Sequence, residues 1–208
     1  MGGAPLWLLL QLLLLLFPLP SHPATYDVRT FGASGDGRTA DTLAIARALD
    51  AARLAGGGEV LFPAPGTYLT GAMVLPSDLI FTVESGATVL GRPHEGDYPL
   101  LPPMWSICGR IVTSGPFASP LVGGRQVHNV TVRGGGVING GGWKPFKPRL
   151  VQFQRSQGVH IDNVTLRDSG MWTVVSPQAP PVVTTSRASL TDWIARDRST
   201  FTSVWMSA

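Results

Sequence analysis

The chain contains one cysteine, Cys108, so no internal disulfide can form. It has no Lys/Arg-rich run interleaved with aromatics, which leaves a nucleic-acid partner without support. Sixteen basic residues against 13 acidic ones give a net charge of +3, mostly from arginine, a balance that favours polyanionic partners without naming one. Neither G-x-G-x-x-G nor a G-K-[ST] ending occurs, so the glycine-rich stretch FGASGDGRT around Asp36 is not a phosphate loop. Gly32, Gly35 and Gly37 suit tight turns there instead, because glycine tolerates positive φ and Asp bonds its own backbone. After one early stretch no helical periodicity recurs before the tail. The sequence also has no Asp-Asp pair, and none of His22, His94, His128 and His160 has glycine on both sides.

What is present begins with Leu6–Phe17, an apolar run broken only by Gln11. It is long enough for a signal-peptide core and too short to span a bilayer. Pro18, Pro20 and Pro23 follow at once and forbid a continuing core helix. The flank lacks Lys and Arg, and cleavage is expected near Ala24. Residues 1–24 therefore read as a signal peptide, predicting a secreted, extracellular or cell-wall protein with no membrane contact once the leader is removed. A lone thiol in an oxidising compartment suggests a missing partner and an incomplete chain. The remainder is enough for one domain, expected to be a monomer.

From Thr39 the pattern turns helical. Thr39 or Asp41 is placed to cap, Leu43, Ala44, Ile45, Ala48, Leu49 and Ala52 make an apolar face, and Gly56-Gly57-Gly58 stops the helix. Short strands are predicted at Glu59–Phe62, Thr67–Thr70, Met73–Leu75, Leu79–Val83 and Thr88–Leu90, separated by Pro, Gly, Ser or Asp. Their spacing leaves no room for crossover helices, and the one Asn-Gly, at Asn139-Gly140, sits in glycine-rich sequence rather than between alternating strands. Stacked short strands fit a solenoid.

An internal echo points the same way. VHNVTVRGGG, Val127 to Gly136, matches IDNVTLRDSG, Ile161 to Gly170, at an interval in the range of repeat architectures. One coil with a loop insertion, or two short coils, fits that interval. Alternation would turn Val130 and Val132, and likewise Val164 and Leu166, to one face. A stack of coils leaves its apolar interior open at the ends, and the helix from Asp41 to Leu54 is the natural N-terminal lid.

Two blocks carry a family resemblance over residues 26–175. The first is Val28 to Ala52 with the following GGGEVLFP and Gly66-Thr67-Tyr68; the second runs from GGGVINGGGW, Gly134 to Trp143, through RLVQF, Arg149 to Phe153, and VHIDNVTLRDSGMWTV, Val159 to Val174. Both resemble the polygalacturonases, glycoside hydrolase family 28. The first block is shared more loosely with other parallel β-helix proteins, including pectin lyases and tailspike-type proteins. Asn139 stands where that family has Asp, Lys144 follows a single Trp143, and Gly170 replaces Pro.

The resemblance implies an all-β, right-handed parallel β-helix with an N-terminal capping helix. Residues 25–175 would form a partial β-helix and 176–208 a divergent tail, disordered or folded into a short helix around Leu190, Trp193 and Ile194. It implies inverting hydrolysis of galacturonan without metal or organic cofactor, one carboxylic acid protonating the leaving oxygen while carboxylates across the bond activate water. The family's N-T-D, D-D, G-H-G and R-I-K motifs do not occur in this sequence. No catalytic, cofactor or metal residue is therefore assigned, and turnover by this chain is not expected. The alternatives are a non-catalytic secreted carbohydrate-binding β-helix protein and a truncated product without function. Asp162 and Asp168 are nearest the missing motifs but read as turn formers rather than an acid and base pair. Asn129 and Asn163 each open an N-V-T glycosylation sequon. Arg133, Lys144, Lys147, Arg149, Arg155 and Arg167 form a basic bias that can pair with the carboxylates of a polyuronate, though solvated coil surface explains it too.

Overall fold

The computed structural model describes residues 23–101, 117–142, 148–170, 173–175, 183–184 and 189–190. The Leu6–Phe17 leader, Cys108, Trp143, Lys144, Lys147, Trp193 and Ile194 lie outside the described residues.

In chain order the strands are β1 (Thr25–Asp27), β2 (Asp36–Ala40), β3 (Gly58–Phe62), β4 (Gly66–Thr70), β5 (Met73–Val74), β6 (Leu79–Val83), β7 (Ala87–Gly91), β8 (Leu100–Leu101) and β9 (Phe117–Ala118). They continue as β10 (Val122–Arg125), β11 (His128–Arg133), β12 (Val137–Asn139), β13 (Val151–Gln154), β14 (Gln157–Ile161), β15 (Thr165–Arg167), β16 (Val174–Val175), β17 (Val183–Thr184) and β18 (Ser189–Leu190). One α-helix, α1 (Thr42–Leu54), stands between β2 and β3. Strands β1-β3-β6-β11-β14-β17 form a first sheet, β2-β4-β7-β12-β15-β18 a second and β5-β10-β13-β16 a third. Pairing within all three is parallel, and consecutive strands step from one sheet to the next, so the chain coils. The antiparallel pair β8–β9 lies within one connection.

The strands alternate as the sequence predicts, and like residues stack between coils. Val60, Phe81, Val132 and Ile161 are in register along the first sheet, and Tyr68, Val89, Ile138 and Leu166 along the second. All eight are at least 99% buried. Each such side chain contributes roughly 1.5–3 kcal/mol by leaving water. Phe62 packs edge-on against Tyr68 with centroids 5.4 Å apart and lies 4.7 Å from Phe81, joining two sheets inside the stack.

The lid is where sequence reading places it, with two corrections. Helix α1 packs over β1, β3 and β5 through Ala44, Ile45, Ala48, Leu49 and Ala52, whereas Leu43, expected on that face, is 73% exposed. Asp41 occupies the N-cap position without capping: its buried carboxylate turns back to accept from Ser34 N at 2.6 Å and Gly35 N at 3.1 Å. The glycine-rich turn competes successfully for that acceptor. Thr39 does not cap either, because its N–H and Oγ1 both donate to Asp36, at 2.7 and 2.8 Å. Those bonds, with one from Arg38 N at 2.8 Å, hold the Asp36 carboxyl well below the usual range.

The echo also needs correcting. Val130 stacks on Val159, not on Val164, so the two copies lie on different sheets, β11 of the first and β15 of the second. Their separation is neither one coil nor two; it is one coil plus one side. What the copies share is a corner: Asn129 and Asn163 both take left-handed backbone, at φ 54 and 47, each followed by an inward valine. Val130, Val132, Val164 and Leu166 do face inward, as alternation predicts. At the corner from third to first sheet the left-handed residues form a column, Asp78, Asn129 and Gly158 at φ 58, 54 and 60. Asn129 Nδ2 donates to Asp78 Oδ1 at 3.0 Å and His128 Nε2 lies 3.2 Å from Asp78 Oδ2, tying adjacent coils.

Beyond Val175, β17 pairs with β14 and β18 with β15, so Leu190 lies in a strand rather than in a short helix.

Candidate functional site

Insertions in a solenoid mark the face on which function is built. Between β3 and β16 the connections from the first to the second sheet are short, at 63–65, 84–86, 134–136 and 162–164, and so are those from the third back to the first, at 75–78, 126–127 and 155–156. Connections from second to third sheet are 71–72, 92–121, 140–150 and 168–173. The two longest of these, 92–121 and 140–150, both enter the third sheet, and the candidate site is that sheet's outer face with these insertions beside it.

The base of the first insertion is fastened by specific polar contacts. Arg92 Nη1 lies 2.6 Å from Asp97 Oδ2, Ala72 N donates to Asp97 O at 3.0 Å, and Ser119 Oγ donates to Pro99 O at 2.5 Å. Tyr98 is buried beneath them and its hydroxyl donates to Arg92 O at 3.1 Å. Burial first, and then the neighbouring Asp97 charge, pushes its phenol up to about 12.

The second insertion starts from a polar knot. Asn139 Nδ2 donates to Asp168 Oδ2 at 2.8 Å, Gly141 N donates to Asn139 Oδ1 at 2.7 Å, and Gly140 N donates to Arg167 O at 3.0 Å. At its other end Arg149 is 6% exposed, with Nη1 donating to Gln152 Oε1 at 3.3 Å, and Leu121 N donates to Arg149 O at 3.0 Å. Desolvation lowers its guanidinium pKa from the usual arginine value. Sequence reading, which allowed solvated coil surface for this arginine, misses its burial. The available signal is that Arg149 directly precedes the apolar Leu150-Val151.

The other candidate residues do not converge on one place. Asp162 and Asp168 flank β15 at opposite ends, one at the corner between first and second sheets and the other at the corner leading to the third. They do not share a site. Arg133 crosses the outside of the first sheet, its Nη2 3.2 Å from Glu59 Oε1 and its Nε donating to Thr82 Oγ1 at 3.4 Å. Burial would raise the Glu59 carboxyl, but hydrogen bonds from Thr82 and Arg133 and the guanidinium charge outweigh it and hold the carboxyl low. Arg167 Nε lies 3.7 Å from Asp168 Oδ2, and Arg155 is exposed at a left-handed corner, φ 50. Asn129 and Asn163 are both exposed, away from the insertion corner. Among the described residues no three His, Cys, Asp or Glu side chains are grouped to hold a metal ion.

This combination, three parallel sheets under a helical lid with insertions gathered at one corner, defines a right-handed parallel β-helix of the pectinase class. Residues 25–174 match the family described as rhamnogalacturonase A/epimerase, pectate lyase-like, and the chain belongs to it. An exo-poly-alpha-D-galacturonosidase of Dickeya chrysanthemi is 34% identical over 127 residues, which is 59% of this chain and 20% of that protein. A Vitis vinifera protein named "Probable polygalacturonase" is 30% identical over 159 residues, 69% of this chain and 32% of that one. The present chain thus spans a third or less of either relative. The family 28 exopolygalacturonase of Yersinia enterocolitica superposes with a TM-score of 0.65 at 22% identity, covering 76% of this chain and 37% of that structure. The polygalacturonase resemblance read from the two sequence blocks holds.

Proposed function

We propose that this chain supplies the N-terminal coils of a secreted polygalacturonase-type glycoside hydrolase, that its partner is a polyuronate such as galacturonan, and that the 208 residues do not themselves cleave it. The observation that carries this reading is the gathering of the long insertions on the third-sheet face, in a family whose relatives are named for galacturonan hydrolysis.

Hydrolysis by inversion calls for a carboxylic acid at the leaving oxygen and carboxylates roughly 6.5–9.5 Å away to activate water. Along the candidate face Asp97 is committed to Arg92 and Asp168 to Asn139. Both carboxylates serve the loops. The N-T-D and D-D motifs that would supply the reacting pair are not in this sequence. The basic surplus of +3 favours a polyanion at low ionic strength.

The test is to incubate the purified chain with polygalacturonate, follow reducing ends, and measure co-sedimentation at low and high salt. No release above a heat-inactivated control, with binding that weakens as salt rises, is expected. Release of reducing ends overturns the absence of turnover, and undetectable binding at low salt removes the polyuronate partner.

A further inference from the structure

The two sequons are identical in sequence and both exposed, yet their asparagines have different surroundings. Asn129 sits in the left-handed column, where its Nδ2 donates to Asp78 Oδ1 at 3.0 Å while His128 Nε2 approaches the other oxygen of the same carboxylate at 3.2 Å. The amide is part of a staple between coils. Asn163 uses only its backbone carbonyl, which accepts from Gly135 N. Its side-chain amide leans over Gly135, which carries no side chain to crowd it, and makes no hydrogen bond among the described residues. Thr165, the hydroxyl residue of that sequon, lies on β15 at a partly exposed outward position.

We propose that Asn163 is the N-glycosylation site of this chain and that Asn129 stays unmodified, its amide retained by Asp78. In the transfer Nδ2 of Asn163 attacks the anomeric carbon of an oligosaccharide carried on a lipid pyrophosphate. A nitrogen–carbon bond forms, the bond from that carbon to the pyrophosphate oxygen breaks, the lipid pyrophosphate departs with the bonding pair, and the proton lost from the amide passes to solvent. The co-reactant is the lipid-linked donor of the secretory route, so the assignment rests on the secreted reading. A glycan on Asn163 projects from the corner between first and second sheets and leaves the insertions and the third-sheet face clear.

The experiment expresses the full chain in a eukaryotic secretory host twice, behind its own N-terminus and behind a proven leader. Protein is recovered from whole-cell lysate as well as medium and deglycosylated enzymatically in heavy-oxygen water, which converts a glycosylated Asn to labelled Asp. Trypsin then separates the two sites, since Arg155 and Arg167 bracket Asn163 whereas Arg125 and Arg133 bracket Asn129. Expected with the proven leader is label in most Asn163 peptides and at least five-fold less at Asn129. Thr165→Val, which leaves Asn163 in place, should abolish the Asn163 label, and Asp78→Ala should raise the label at Asn129. Absence of label at Asn163 behind the proven leader, or equal label at the two sites, overturns the proposal. Label behind the proven leader but not behind the native N-terminus overturns secretion alone and leaves the site assignment standing.

Discussion

Asn139 stands where polygalacturonases carry Asp, and its neighbour across the coil explains why the amide suits this chain. Its Nδ2 donates to Asp168 Oδ2 at 2.8 Å. Asn139→Asp would replace that donor with a second carboxylate. The change should cost about 1.5–3 kcal/mol at neutral pH, the range for a hydrogen bond to a charged group. Lowering the pH protonates one member of the like-charged pair, so the loss should shrink in acid. Thermal unfolding of wild type and variant at neutral and acid pH checks this, and a deficit unchanged by pH contradicts it.

Tyr98 gives the opposite pH signature. Its phenol is raised from 10.0 to about 12, so the folded state holds the proton more tightly than the unfolded state. The stabilisation is complete below the unfolded value of 10.0 and disappears as pH climbs towards about 12. Alkaline denaturation followed by tyrosinate absorbance should show wild type losing stability across that window. Tyr98→Phe should start about 1 kcal/mol less stable, from loss of the bond to Arg92 O, and should have a flatter profile there.

Among the elements, strand β6 is legible to its exact ends, because Leu79–Val83 alternates between turn residues. Strands β1 and β2 escape sequence reading. Asp36–Ala40 is exposed or half-exposed throughout, and only its pairing with β4 makes it a strand. The lid is legible from its period, but its cap is not, because the choice of Asp41 between helix and turn depends on Ser34 and Gly35 folding beneath it. The inward side of α1 should dominate its energetics. Ile45→Ala is expected to cost about 2–5 kcal/mol, whereas Leu43→Ala, at a position 73% exposed, should stay within about 0.5 kcal/mol. Urea midpoints of the two variants decide this, and equal losses would place the helix on the stack by the wrong face.

At the scale of the whole molecule, sequence alone marks a solenoid but not which corner receives each insertion. Only strand pairing reveals that 92–121 and 140–150 share one corner, and the same ambiguity makes the Asn-Val-Thr echo look like stacked coils. Stacked coils contact mainly their neighbours, so their stability is divisible along the axis. Val132 tests this, being fully buried and in register with Phe81 on one side and Ile161 on the other. Val132→Asp puts an unpaired charge into the stack, which the coils around it cannot accommodate without opening. The N-terminal coils retain α1 as a cover over their apolar interior. Hydrogen exchange should therefore lose protection in β11, β12 and β14 while β3, β4 and the buried face of α1 remain slow. If protection instead falls equally from β3 to β14, the stack unfolds as one cooperative unit and the lid confers no separate stability on the coils it covers.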